Sequence, residues 1–166
     1  MNRADEIIKL LELKPHPEGG YYREIYRSEE IIPEDGLPER YSGSRSFGTG
    51  IYYLLKPGDI SAMHKVESDE IFHFYMGDPT ELLKLYPDGT GELLEIGTDL
   101  SKGMKPCAII EKGVWQGQRL KEGGEFVLFG TTVCPGFDFT DFVLGNSEEL
   151  IAEYPGFEKE ILQLTK

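Results

Sequence analysis

Gly58-Asp59-Ile60-Ser61-Ala62-Met63-His64-Lys65-Val66-Glu67-Ser68-Asp69-Glu70-Ile71-Phe72-His73-Phe74-Tyr75-Met76-Gly77 is the stretch on which the fold turns. Alternate residues of a strand share a face. A strand over 60–66 therefore carries His64 and Val66 on one side. A polar break at 67–68 turns the chain into a second strand over 69–76. On that strand Glu70, Phe72 and Phe74 face one way, and His73 and Tyr75 the other. If the first set faces inward, one imidazole and one carboxylate meet inside an apolar layer. A carboxylate there is expensive unless paired, and His64 is the obvious partner.

Outward from this hairpin the pattern repeats. Short strands are expected at about 80–86, 91–96, 105–111, 115–120 and 125–133, and a last one at 137–143. Tyr21 to Ser28 and Arg45 to Leu55 precede them, separated by a polar loop over 29–44. Pro87-Asp88-Gly89-Thr90 is a hairpin signal. The chain holds 20 Gly, 10 Pro, 9 Tyr and 9 Phe in 166 residues. Strands at this spacing with no helical period between them indicate an antiparallel sandwich or barrel. Asn2 caps a short first helix that Pro15 and Pro17 stop. Asn146, with Glu149 three positions on, opens a helical tail interrupted at Pro155-Gly156.

The formal charge of −13 repels phosphate backbones and anionic membrane surfaces, so neither nucleic acid nor a membrane is an expected partner. No apolar run reaches the roughly 18 residues of a bilayer helix, and the N-terminus lacks a signal-peptide layout. Cys107 and Cys134 are too few for a disulfide framework and are expected to be buried packing residues. The expectation is a reduced, cytoplasmic protein of one domain, 1–166, with a barrel core over about 20–143.

The spacing Gly58-x5-His64-x-Val66-x3-Glu70-x6-Gly77 resembles the first motif of the cupin superfamily. In that motif two histidines and a glutamate hold a divalent metal inside a small jelly-roll barrel. Val66 stands where the second histidine belongs. The second cupin motif adds another histidine, and Gln116 of Glu111-Lys112-Gly113-Val114-Trp115-Gln116 occupies its place. A longer set of strings is similar to the cupin 5 family over roughly residues 10–143. It comprises Pro15-His16-Pro17-Glu18-Gly19-Gly20-Tyr21-Tyr22-Arg23-Glu24, Thr49-Gly50-Ile51-Tyr52-Tyr53-Leu54-Leu55, Ser61-x2-His64-x3-Ser68-Asp69-Glu70-Ile71-x-His73, Gly113-x-Trp115-Gln116 and Val133-x-Pro135-Gly136-Phe137-x-Phe139-x-Asp141-Phe142.

The resemblance implies an all-β double-stranded β-helix with a short N-terminal helix and a C-terminal helical tail. It also implies a homodimer, and a fold shared with dTDP-sugar epimerases and seed storage proteins. Two of four metal ligands are missing, so no cofactor is expected; a divalent metal at His64 and Glu70 is the lesser alternative. Two function classes stay open beside that one. The first is a metal-independent, epimerase-like enzyme acting on a small polar or sugar-like molecule. Its candidates are His64 as base, Glu70 to orient it, Tyr52 to return the proton, and Arg23 or Gln116 to hold an oxyanion. The second is a ligand-binding cupin without catalysis. Trp115, Phe72 and Asp141 complete the candidate pocket set, and His16 is read as a surface-loop histidine.

Overall fold

The computed structural model describes residues 2–166. Asn2 caps helix α1 (Arg3–Leu10) by accepting the Asp5 amide. Thirteen strands follow among the described residues: β1 (Lys14–Pro15), β2 (Tyr21–Arg27), β3 (Ile31–Ile32), β4 (Arg45–Ser46), β5 (Thr49–Leu55), β6 (Ile60–Lys65), β7 (Asp69–Gly77), β8 (Thr80–Leu85), β9 (Gly91–Ile96), β10 (Cys107–Ile110), β11 (Trp115–Leu120), β12 (Val127–Cys134) and β13 (Val143–Leu144). Helices α2 (Ser147–Glu153) and α3 (Glu158–Gln163) close the chain.

The strands form a six-stranded sheet in the order β1-β2-β5-β12-β7-β10 and a five-stranded sheet in the order β13-β6-β11-β8-β9. All the strand pairs are antiparallel. Strands adjacent in sequence, such as β5, β6 and β7, alternate between the two sheets, as a jelly roll requires. The inner faces meet in a core of Tyr53, Leu55, Phe72, Leu82, Ile96, Ile110, Val127 and Phe129, with other apolar side chains. Helix α1 covers part of the six-stranded sheet's outer face through Ala4, Ile7, Leu54 and Leu128. The C-terminal helices cover the outer face of the other sheet through Leu150, Tyr154, Ile161 and Leu164. Each covered face removes an apolar layer from water and leaves most of the polar residues outside.

Several expected elements come out differently. The strand expected at 137–143 is a 3-10 turn over Phe139–Asp141 followed by the two-residue β13. Asp138 accepts the Thr140 amide, and such a side-chain turn competes with strand pairing. The strand expected over 45–55 breaks at Phe47-Gly48, where the chain passes from β4 to β5. Both cysteines are exposed rather than buried. Strand alternation explains Cys107: its neighbour Ala108 fills the core, so Cys107 points outward.

Candidate functional site

One end of the barrel encloses a cavity of about 450 Å³. The six-stranded sheet supplies Tyr22, Glu24 and Arg27 from β2, Thr49, Ile51 and Tyr53 from β5, and Glu70 and Phe72 from β7. Thr131 and Val133 of β12 complete that wall. His64 and Val66 face them from β6 and the turn after it. Phe137, Asp138, Phe139 and Phe142 form the mouth, and His16 and Glu18 close one side.

His16 and Glu18 belong to a strap, His16-Pro17-Glu18-Gly19-Gly20, that lies against β6. The Ala62 amide donates to the Glu18 carbonyl at 3.0 Å, and the Tyr53 hydroxyl to the Gly19 carbonyl at 2.8 Å. Ser61 donates its hydroxyl to Glu18 Oε1 at 2.7 Å. The strap lies so close that a Cβ on Gly19, whose φ is 122°, would sit 2.0 Å from the Ile60 carbonyl oxygen. Only glycine suits that position.

His64 is buried between two carboxylates. Its Nε2 lies 3.3 Å from Glu18 Oε2 and 3.9 Å from Glu70 Oε2, and its Nδ1 is 2.8 Å from the Ala62 carbonyl. A carbonyl can only accept, so Nδ1 carries a proton. Burial pulls the His64 pKa down. The charge of Glu18, the hydrogen bond to Glu70 and the Ala62 carbonyl outweigh it and raise the pKa to about 9. At neutral pH His64 is therefore an imidazolium. His16 is pushed the other way, lowered by burial against the pull of Glu18. Its Nδ1 accepts the Glu18 amide at 3.2 Å, which leaves the proton of the neutral ring on Nε2. Glu70 accepts the Gln116 side-chain amide on Oε2, and Oε1 has no hydrogen-bond partner among the described residues.

The candidate residues divide cleanly by strand face. His64, Glu70 and Phe72 meet in the cavity. Gln116 is buried beside His64 in the β11–β6 pairing and buttresses Glu70 from behind the cavity wall. Trp115, one residue earlier, points to the opposite side and packs with the C-terminal helices, under Lys65. Tyr52 likewise points outward, edge-on to Tyr75 with ring centres 6.2 Å apart, while Tyr53 faces in. Arg23 lies outside on β2, donating to the Leu11 carbonyl and pairing with Glu12. Asp141 is buried in a two-pronged ion pair with Arg45 and does not reach the cavity. His73 is on the outer face with a hydrogen bond to Thr132, as alternation requires. His16 is not a surface residue, and Glu18 joins it in the cavity. The partners of Glu18, namely Ser61, Ala62 and His64, lie more than 40 residues away in sequence, so only the strings around the strap signalled anything.

The metal implied by the first cupin motif does not fit these side chains. Both ring nitrogens of His64 are turned to acceptors, Val66 offers no donor, and Gln116, tied to Glu70 through its amide nitrogen, does not line the cavity. Among the described residues no three His, Cys, Asp or Glu side chains are arranged to hold one metal ion.

The comparisons agree with this architecture. The chain is 30% identical over 163 residues to the protein YML079W of Saccharomyces cerevisiae, covering 93% of this chain and 81% of the yeast protein. The crystal structure of protein SO0799 from Shewanella oneidensis matches with a TM-score of 0.87 and 36% identity, over 100% of this chain and 99% of that one. A protein from Leishmania major matches with a TM-score of 0.88 and 30% identity, over 99% of both chains. Oxalate decarboxylase from Bacillus subtilis, at 16% identity, a TM-score of 0.53 and coverage of 90% of this chain and 36% of that enzyme, shares the fold alone. The model of the Cupin_5 family, cupin superfamily (DUF985), matches residues 5–145, and with that span, the inward His64 and Glu70 and the jelly-roll sheets all in accord, the chain belongs to this family.

Proposed function

We propose that this protein binds a small polar molecule inside the barrel. One convergence supports the reading: a cavity of about 450 Å³ in which His64, Glu18 and Glu70 meet aromatic walls. Small-molecule sites have this form, mostly apolar with a few polar groups that fix orientation. Native mass spectrometry of the purified protein, followed by extraction of any retained molecule, is the direct test. Val66→Phe places a ring in the cavity without touching a charged group. Loss of the retained molecule in a folded Val66→Phe variant is the expected result; undiminished retention would overturn the proposal.

A second reading, proton transfer next to a carbonyl as in the epimerases of this fold, is favoured by one observation. Two histidines in one cavity are held in different states, a cationic His64 and a neutral His16, beside a Glu70 carboxyl with an unpartnered oxygen. In this reading Glu70, not His64, takes the proton, because an imidazolium has no lone pair to offer. The C–H electrons move onto the carbonyl oxygen, which the His16 Nε2–H stabilises by hydrogen bonding and the His64 imidazolium by its charge alone. Return of a proton to carbon completes the exchange. Deuterium uptake from solvent into the retained molecule, abolished by Glu70→Gln even at ligand concentrations that saturate the variant, is the expected signature. Binding without any exchange would leave a ligand-binding protein alone.

A further inference from the structure

The charges around the cavity are unequal. Glu18, Glu24, Glu70 and Asp138 line it, against Arg27 and His64. Both cations are already paired with carboxylates. Arg27 donates through Nε and Nη2 to both oxygens of Glu24, and Nη2 also reaches the Phe137 carbonyl at 3.0 Å. His64 is shared between Glu18 and Glu70. Two carboxylates keep an uncommitted oxygen: Glu70 at Oε1, and Asp138 at the oxygen opposite the one that accepts from Thr140. A net negative cavity walled by Phe and Tyr rings is costly to dehydrate unless an opposite charge enters it.

A second feature of the cavity wall is independent of charge. Thr131 lines the cavity and is 3% exposed, yet its hydroxyl has no hydrogen-bond partner. Nearly all buried hydroxyls are satisfied, so an orphan in the wall of a cavity points to a group that arrives with a ligand. Tyr22, Phe137, Phe139 and Phe142 present ring surface around the same space. Aromatic faces attract cations, and carboxylates beside them strengthen the attraction.

We propose that the occupant of this cavity is a small organic cation, an ammonium compound carrying a further hydrogen-bonding group, and not a phosphate or carboxylate. The ammonium lies between the free oxygens of Glu70 and Asp138 and the aromatic mouth, and the polar group reaches Thr131. This rests on the reading of the cavity as a ligand site and names the class of ligand. The chain's formal charge of −13 works in the same direction, drawing cations toward the mouth and repelling anions.

Three probes of similar shape separate the cases: benzyltrimethylammonium, benzyl alcohol and phenyl phosphate. Binding is read by titration calorimetry and by the imidazole NMR signals of His16 and His64, which report the cavity itself. The expected order is the ammonium about tenfold or more tighter than the alcohol at low salt, as cation–π and charge contacts of this kind supply, with no binding of the phosphate. The ammonium's advantage falls with added salt. It falls again in Asp138→Asn, which keeps an oxygen for the Thr140 contacts, and in Glu70→Gln. Equal or tighter binding of phenyl phosphate or benzyl alcohol overturns the cation assignment and leaves the ligand site standing. Failure of all three to move the histidine signals at millimolar concentration overturns both.

Discussion

His64 is where a single proton decides most. With its pKa at about 9 in the fold and about 6.5 in the unfolded chain, the native state holds the proton more tightly. The stability this supplies is complete below pH 6.5 and is lost as pH rises through about 9. The shift corresponds to about 3 kcal/mol across that window. Urea denaturation at pH 6 and pH 10 is expected to show a loss of that order, and a His64→Gln variant a much smaller one. An equal pH dependence in both would mean that His64 is not held as an imidazolium. His16 acts with the opposite sign. Its lowered pKa favours the neutral ring, so its contribution is present above pH 6.5 and fades as pH falls below that value.

Within the strands, alternation is the legible signal, and it reaches beyond the hairpin at 58–77. It placed His64, Glu70 and Phe72 inward and His73 outward from the sequence alone. The same period makes Tyr52 and Tyr53, Trp115 and Gln116, and Tyr22 and Arg23 exclusive pairs: one faces in, the other out. Fixing Leu55 in the core would have chosen Tyr53 over Tyr52, and accepting Gln116 as inward dismisses Trp115. The strap was not legible, because what makes His16 and Glu18 interior is their docking on Ser61, Ala62 and Tyr53. Gly19→Ala tests that docking. Its positive φ and the Ile60 carbonyl make the change cost upward of about 1–3 kcal/mol in a thermal or urea melt.

The loop at the mouth was expected to be a strand for a related reason. It is pinned by Arg45, which donates to Asp141, Thr140 and three backbone carbonyls between Ser42 and Ser44. Asp141→Ala strands a buried guanidinium and is expected to cost about 3–5 kcal/mol, while replacing both partners by apolar residues recovers much of the loss. A double-mutant cycle measured by urea denaturation checks this. Additive losses would show that the pair does not act as a unit.

The distribution of charge over the molecule bears on its assembly. The formal charge of −13 is spread over most of the surface, but the outer face of the six-stranded sheet is nearly free of it. Beyond the part covered by α1, that face presents Ile25, Tyr26, Tyr75, Met76, Cys107 and Ile109, with Tyr26, Tyr75 and Ile109 each at least half exposed. Tyr75 lies flat over Gly130, where any Cβ would collide with its ring, so the centre of the face is smooth. Large exposed apolar patches on a highly charged protein mark contact surfaces. Two copies of a chain this acidic repel one another everywhere except where carboxylates are absent, and a two-fold axis lets the same patch serve both. The expected assembly is a homodimer through this face, with the barrel mouths left open. Light scattering at about 100 μM should give twice the 18.8 kDa chain mass. Tyr75→Lys with Ile109→Glu should shift it to the monomer while the far-UV spectrum stays unchanged. A wild-type monomer at that concentration, or a dimer indifferent to both substitutions, would show that this face is not the contact surface. The cavity sits on the inner side of the same sheet, so ligand binding should survive in the monomeric variant.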